Sequence, residues 1–277
     1  MQTIGTLKTQ FYQLAHAHLP YHWFESLLLW VLDKDKAFLI THDDYLLSHD
    51  EYDRLSDGMA KLCTGMPLAY VIGRQGFFGH EFVVDEHTLI PRADTEILVE
   101  MALAVVHDKG IENARLLDLG TGSGCIGISL AKALPDANVV LSDYSVNALK
   151  IAQINAKELM ANNCTFVHSN WYDDVLGNFD IIISNPPYIA RTDEHLRHLT
   201  AEPMTALVAD DDGLADIGLI VTGALECLNL GGVLLVEHGH NQGAGVQKFF
   251  FGAGFKNIRT IKDYGGNDRM TMGIYDE

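Results

Sequence analysis

Apolar residues recur every three to four positions through the first 72 residues: Phe11, Leu14, Ala15 and His18/Leu19, then Phe24, Leu27, Leu28 and Val31. That period places side chains above one another on a helix face, so residues 1–72 are predicted to form a small helical bundle. Ser48 followed by Glu51 is a capping box, in which each side chain satisfies an orphan N–H at a helix start. The helix it opens is expected to run to Gly65, with Pro67 as the stop. The pattern changes over 73–92. Gly73, Gly76 and Gly79 punctuate a stretch holding Phe77, Phe78, Phe82, Val83 and Val84, which predicts short strands or a β-hairpin linking two domains. Ile90-Pro91-Arg92-Ala93-Asp94-Thr95-Glu96 then leads into a helical pattern through Val105. From Arg115 strand and helix periods alternate. Strands are expected at Leu116–Leu119, Val139–Ser142, Thr165–His168, Asp180–Ser184 and Gly232–Glu237, with helices ending at Leu134 and spanning Ser145–Met160. Residues 93–277 therefore read as an α/β domain with a mostly parallel sheet, whose ligands bind beyond the carboxyl ends of the strands.

Composition narrows what such a chain can bind. Of 277 residues, 48% are hydrophobic and 20% charged, which is enough apolar material to offset chain entropy and to exclude disorder over most of the length. The formal charge is −18, split as −5 over residues 1–92 and −13 over 93–277, with no basic arm. That balance argues against direct, salt-driven binding to nucleic acid. Cys63, Cys125, Cys164 and Cys227 are far apart and form no C-x-x-C, so they are read as reduced thiols of a cytoplasmic protein rather than as a disulfide framework or a zinc site. The longest early apolar run, Leu27–Leu32, is too short for a membrane span, and no signal-peptide pattern opens the chain.

The candidate chemistry begins at the end of the first expected strand. Asp118-Leu119-Gly120-Thr121-Gly122-Ser123-Gly124-Cys125-Ile126-Gly127 admits two ligand readings. Gly122, Gly124 and Gly127 fit the dinucleotide fingerprint G-x-G-x-x-G, with Asp143 the acid 21 residues on. Gly120, Gly122 and Gly124 directly after an acidic strand end instead resemble the first motif of methyltransferases that use S-adenosyl-L-methionine (AdoMet). A purely structural turn is the third alternative. Asp118 favours AdoMet, because a carboxylate there would oppose a pyrophosphate and suit an ammonium or sulfonium group. In either ligand reading Asp143 is the candidate for ribose hydroxyls.

Asn185-Pro186-Pro187-Tyr188 follows the fourth strand. Two prolines remove two backbone donors and hold the chain outside regular structure, and the tyrosine offers a flat face. An amide or exocyclic amino nitrogen is a poor nucleophile, because its lone pair is delocalised. The Asn185 side-chain oxygen and the Pro186 carbonyl could accept its two N–H bonds and stabilise charge moving onto nitrogen during in-line methyl transfer, with Tyr188 against the planar group. The glycine loop and this tetrapeptide together resemble the methyltransferases of planar nitrogens, which include amino-adenine DNA enzymes and protein-glutamine N5 enzymes.

Further stretches carry a closer resemblance. Gly65-Met66-Pro67-Leu68-Ala69-Tyr70, Ile90 to Glu96, Asp118 to Gly124, Asn185 to Ile189, Glu202-Pro203 with Thr205-Ala206-Leu207, Glu237-His238-Gly239, and Asp263-Tyr264-Gly265 with Arg269 run in order along nearly the whole chain. In these the chain resembles the release factor glutamine methyltransferase family, PrmC/HemK. The resemblance implies a helical N-terminal domain (1–72) that recognises a release factor, a hairpin linker (73–92) and a Rossmann-like AdoMet-dependent methyltransferase domain (93–277). It implies methyl transfer to the glutamine of the Gly-Gly-Gln motif in class I peptide chain release factors. Carried over by position, Gly120, Thr121, Gly122, Ser123, Gly124, Asp143 and Trp171 contact AdoMet, with Trp171 against the adenine. Asn185, Pro186, Pro187 and Tyr188 hold the glutamine, with Asn185 also beside the cofactor. Two positions depart from the family pattern. Asn170 stands where an aspartate often precedes the aromatic residue, and Met66 stands in the usual Gly-Glu-Pro.

The rival readings are a glutamine methyltransferase of a large-subunit ribosomal protein and, more distantly, an amino-adenine DNA methyltransferase, which the acidic charge disfavours. Neither Glu194 with His195 and His198, nor His238 with His240, has the spacing of a metal site, and Asp210-Asp211-Asp212 reads as a solvated loop. No metal is expected.

Overall fold

The computed structural model describes residues 2–14 and 19–276, with the side chains of 12–14 and 198 outside that description. The chain divides into two compact units, Met1–Arg74 and Gln75–Glu277.

The first unit is helical: α1 (Ile4–Leu14), α2 (Tyr21–Leu32), α3 (Lys36–Thr41), α4 (His49–Cys63) and α5 (Leu68–Ile72). The predicted period is realised in α2, where Phe24, Leu27, Leu28 and Val31 are buried beside Ile4, Leu39, Leu47, Leu55 and Leu62. Phe11 stacks on Phe24 with ring centroids 4.9 Å apart. The Leu14 side chain, Ala15 and His18 lie outside the described residues. The capping box forms at α4. Ser48 Oγ accepts from the Glu51 N–H at 3.2 Å, and Glu51 Oε2 accepts from the Ser48 N–H at 2.7 Å. The helix ends at Cys63, two residues before the expected glycine, and Pro67 opens α5 as well as closing the turn.

In the second unit, β1 (Arg74–Phe77) and β2 (His80–Val83) form a hairpin. Its turn, Phe78-Gly79, has φ of 47° and 74°, the two left-handed residues that match strand twist in a two-residue turn. Phe77 and Phe82 meet edge to face and are buried in the main core, so the hairpin is packed into this unit along its apolar side.

The rest alternates: α6 (Glu96–Lys109), β3 (Arg115–Leu119), α7 (Cys125–Ala133), β4 (Asn138–Asp143), α8 (Val146–Glu158), β5 (Cys164–His168) and β6 (Phe179–Ser184). After β6 come a short pair, β7 (Ile189–Ala190) and β8 (Val208–Ala209), then α9 (Asp210–Gly213), α10 (Ala215–Cys227), β9 (Leu228–Glu237), α11 (Gly243–Ala253), β10 (Lys256–Lys262) and β11 (Asp268–Ile274). The seven-stranded sheet has the order β10-β11-β9-β6-β3-β4-β5. The five strands from β9 to β5 are parallel, whereas β11 runs antiparallel to β9 and β10 antiparallel to β11. It is a Rossmann-like sheet, with two strands beyond the five that periodicity predicted.

The strand period of two sorts the core into two layers. Leu116, Leu141, Ile181, Ile183, Val233 and Leu235 face α6 and α7. Leu117, Leu119, Val140, Ile182, Leu234 and Val236 face α10 and α11. Burial on both faces explains why these strands read as nearly unbroken apolar runs. The register brings Leu119 level with Ser142 on one side and Ser184 on the other, so the residues after β3, β4 and β6 emerge together at one sheet edge. Among the described residues no helix is long and apolar enough to cross a membrane.

Candidate active site

The chain leaves β3 into a loop whose Gly120, Gly122 and Gly124 have φ of 76°, 55° and 84°, all in the left-handed region that a side chain disfavours. The loop is tied back to the next strand. Gly120 and Thr121 donate their N–H groups to the Ser142 carbonyl, both at 2.9 Å, and Gly122 donates to Asp143 Oδ2 at 2.8 Å. Asp143 Oδ1 accepts the Ser145 N–H at 2.8 Å, and burial raises this carboxyl above its ordinary range.

Asp118 does not reach the cavity. It is fully buried beneath the loop, where Oδ2 accepts from the Thr121 hydroxyl at 2.6 Å and from the Gly127 N–H at 2.8 Å. A Cβ on Gly127 would lie 2.9 Å from that oxygen and 2.8 Å from Leu141 Cγ, so only glycine permits this approach. Burial pushes the Asp118 carboxyl up to about 6. The charge argument that assigned Asp118 to a ligand ammonium or sulfonium is thus corrected: the carboxylate braces the loop from inside.

A cavity of about 240 Å³ opens above the strand ends, lined by Gly120 to Ser123, Asp143, Trp171, Asn185, Pro186 and Pro187. Trp171 stands beside Gly120, with Asp216, another lining residue, near its side chain. Asn170 also lines the cavity, with its Nδ2 donating to Asp173 at 3.1 Å. Two further loops form the mouth, joined by buried Glu202. Its Oε2 accepts the Ile90 N–H at 3.1 Å, and Oε1 pairs with Arg92.

On the opposite wall, Ser184 Oγ donates to the Leu119 carbonyl at 2.7 Å, locking β6 to β3 where the two loops part. Asn185 Nδ2 donates to Thr95 Oγ1 at 3.3 Å. Tyr188 is not among the lining residues. Its ring packs against the core layer on the α10 and α11 face, and its hydroxyl donates to Glu237 Oε1 at 3.1 Å. Burial and the neighbouring Glu237 push the phenol well above its usual value. Glu237 ends β9 and is buried, and burial raises its carboxyl to about 7. Arg269 on β11 pairs with Asp263 at 2.9 Å and with Asp94 at 3.2 Å.

Residues 93–210 match the family model for the methyltransferase small domain, and residues 7–73 match that for the PrmC N-terminal domain. The chain is 43% identical over 252 residues to the release factor glutamine methyltransferase of Xylella fastidiosa, covering 90% of this chain and 91% of that protein. It belongs to the release factor glutamine methyltransferase family. The relative from Escherichia coli K12 is 38% identical over 266 residues, 95% of each chain. A methyltransferase crystal structure from Pyrococcus furiosus shares the fold, with a TM-score of 0.54, 14% identity, and coverage of 80% of this chain and all of that one.

In this member of the release factor glutamine methyltransferase family, Gly120 to Ser123, Asp143, Trp171 and Asn185 to Pro187 border one cavity; Gly124, predicted with them, caps α7 outside the lining, and Tyr188 lies behind it. Periodicity and motif spacing gave no role to Thr95 or Glu237. The available signal was an acid directly after the apolar run Val233–Val236. The other singled-out groups lie apart from the cavity. His238 is buried, bonded to Thr271 Oγ1 and the Gly239 carbonyl. His195 is exposed and pairs with Asp193, and the His198 side chain lies outside the described residues. Asp210 to Asp212 form an exposed turn in which Arg191 pairs with Asp210. Among the described residues no group of histidine, cysteine and acidic side chains could hold a metal ion.

Proposed function

We propose that this chain transfers a methyl group from AdoMet to the side-chain amide nitrogen of the glutamine in the Gly-Gly-Gln motif of class I release factors. The observation that carries the reading is the Asn185 carboxamide. Its Nδ2 is engaged by Thr95, which leaves Oδ1 as a free acceptor in a loop whose next two residues have no N–H. A wall of acceptors without competing donors suits a group that presents two N–H bonds.

The cavity's other residues fit AdoMet by their chemistry. Asp143 would accept ribose hydroxyls with lone pairs that Gly122 and Ser145 leave unused. Trp171 offers a flat face for the adenine, and the glycine loop brings bare backbone to the ligand. When bound, AdoMet supplies an electrophilic methyl group on a sulfonium. Asn185 Oδ1 and the Pro186 carbonyl would accept the two amide N–H bonds of the glutamine. They orient its lone pair and stabilise the positive charge that grows on nitrogen. The proton leaves after transfer, so no base need act first. Tyr188 serves this reading by anchoring the loop through Glu237, in place of the stacking contact expected of it. The helical unit would dock the release factor, and the reaction would take place in the cytoplasm.

The test is methyl transfer from labelled AdoMet to a purified release factor, beside a variant whose Gly-Gly-Gln glutamine is replaced. Label is expected on the first alone. Asn185→Ala should lower turnover at least about 100-fold with AdoMet binding little changed. If AdoMet binds and neither protein is labelled, the acceptor is wrong, and a ribosomal protein is tried next. An Asn185→Ala variant with full activity removes the acceptor assignment.

A further inference from the structure

The polar cluster behind the Asn185 loop does more than fill space. Glu237 is 1% exposed and Thr95 is 2% exposed. The carboxylate takes the Tyr188 hydroxyl on Oε1, and Oε2 is buried with no hydrogen-bond partner of good geometry. The Thr95 side chain adjoins the same carboxylate and lowers its proton affinity, while Thr95 Oγ1 accepts from Asn185.

We propose that Thr95 and Glu237 are positioning residues that set which way up the Asn185 carboxamide stands, with Nδ2 turned into the protein and Oδ1 left for the acceptor nitrogen. The inference deepens the reading of Asn185 given above and rests on it for its catalytic consequence.

A carboxamide has nearly the same shape either way up, but turning it over exchanges an acceptor for a donor. Inverted, Asn185 would meet a substrate N–H with its own N–H. Shape alone does not prevent this, whereas the single proton of the Thr95 hydroxyl does. A carboxylate only accepts, so a Thr95 hydroxyl whose proton is drawn toward the adjoining Glu237 can only receive from Asn185. Of the two ends of the carboxamide, Nδ2 alone can donate. The same carboxylate holds Tyr188, so both ends of the tetrapeptide are referenced to one buried charge.

The surroundings keep that charge usable. Arg269 faces it from β11, Asp94 from the segment before α6 opposes it, and Tyr188 faces it from the loop after β6. His238, the residue just after β9, is committed to Thr271 and Gly239. Once Glu237 takes up a proton, near pH 7, the carboxyl can donate instead of accept. The Thr95 hydroxyl is then free to turn toward Asn185, and the inverted carboxamide is permitted. Turnover should fall on acidification through this range.

The experiment compares Thr95→Val, Thr95→Ser and Glu237→Gln in the full chain. Thr95→Val keeps the shape and removes the hydroxyl. It is expected to lower kcat about 10- to 100-fold, with the release factor KM and the AdoMet affinity within about threefold of the parent. Thr95→Ser should restore kcat to within about threefold, and Glu237→Gln should lose the acid limb of the pH profile. A second readout needs no turnover: the side-chain NH2 resonance of Asn185, assigned by its loss in Asn185→Ala. It should be protected from solvent exchange in the parent and in Thr95→Ser, and unprotected in Thr95→Val. Undiminished kcat in Thr95→Val, equal loss in Thr95→Ser, an acid limb kept by Glu237→Gln, or unchanged protection would each overturn the proposal. If no release factor is methylated but protection is lost in Thr95→Val, the positioning stands and the substrate reading falls.

Discussion

Asp118 lies in β3 and Glu237 ends β9, and each is buried with one carboxyl oxygen lacking a hydrogen-bond partner. Burial lifts them to about 6 and about 7, above the roughly 4 of an unfolded carboxyl. The folded chain therefore binds these protons more tightly than the unfolded chain. Their contribution favours folding fully below pH 4 and is lost as pH rises through 6 and 7. For Glu237 the difference is on the order of 3 kcal/mol. Urea denaturation should give a higher midpoint at pH 5 than at pH 8, and Glu237→Gln should narrow the gap. Because easing the −18 net charge acts in the same direction, the narrowing is the decisive reading; a gap of equal size in the variant removes Glu237 as its source. The cavity residues were legible because their partners lie nearby in sequence or at neighbouring strand ends. Thr95 and Glu237 were not: 90 and 52 residues separate them from Asn185, and only the sheet order makes them neighbours. Asp118 and Tyr188 were read by charge and shape alone. The fold uses their hydrogen-bonding atoms inward, toward Thr121, Gly127 and Glu237.

Among the elements, α8 does work that its sequence does not announce. Asn155 is fully buried on it, accepting the Val83 N–H at 2.6 Å and donating to the carbonyls of Val83 and Ser123 at 2.9 and 2.8 Å. One carboxamide thus joins the hairpin, the helix and the glycine loop. Asn155→Ala leaves a buried donor and two carbonyls unpaired, and should cost about 2–3 kcal/mol in urea unfolding and weaken AdoMet binding measurably by calorimetry. A loss below about 0.5 kcal/mol would mean that water replaces the side chain and that the loop does not depend on it. Periodicity found the central strands because both faces are apolar. It missed β10 and β11, whose sequences differ in kind. Lys256–Lys262 alternates with charged residues at a sheet edge, and β11 presents methionine and threonine to the core where the central strands present isoleucine and leucine. Antiparallel strands added at an edge need no continuous apolar run.

At the scale of the molecule, each unit has its own core, and a division of labour can be tested. Deleting residues 1–72 should leave AdoMet affinity within about threefold. Methylation of an intact release factor should fall at least about 10-fold, and that of a short Gly-Gly-Gln peptide much less, as expected when remote contacts supply substrate binding. Equal rates on the intact factor would remove the docking role. The sheet order carries one more consequence. On the side away from β6, β11 pairs with β9 along Val233–Glu237, and it brings Arg269 beside Glu237 and Tyr188. A ribosome completes the glycine loop and the Asn185 loop long before it reaches residue 268, and domains fold as units during synthesis. A nascent chain halted short of that point therefore holds both motifs yet lacks the strand that closes the sheet beside them. Competence is therefore expected late and at once: a chain that ends before residue 268 should transfer no methyl group from labelled AdoMet, and activity in such a chain would remove this consequence.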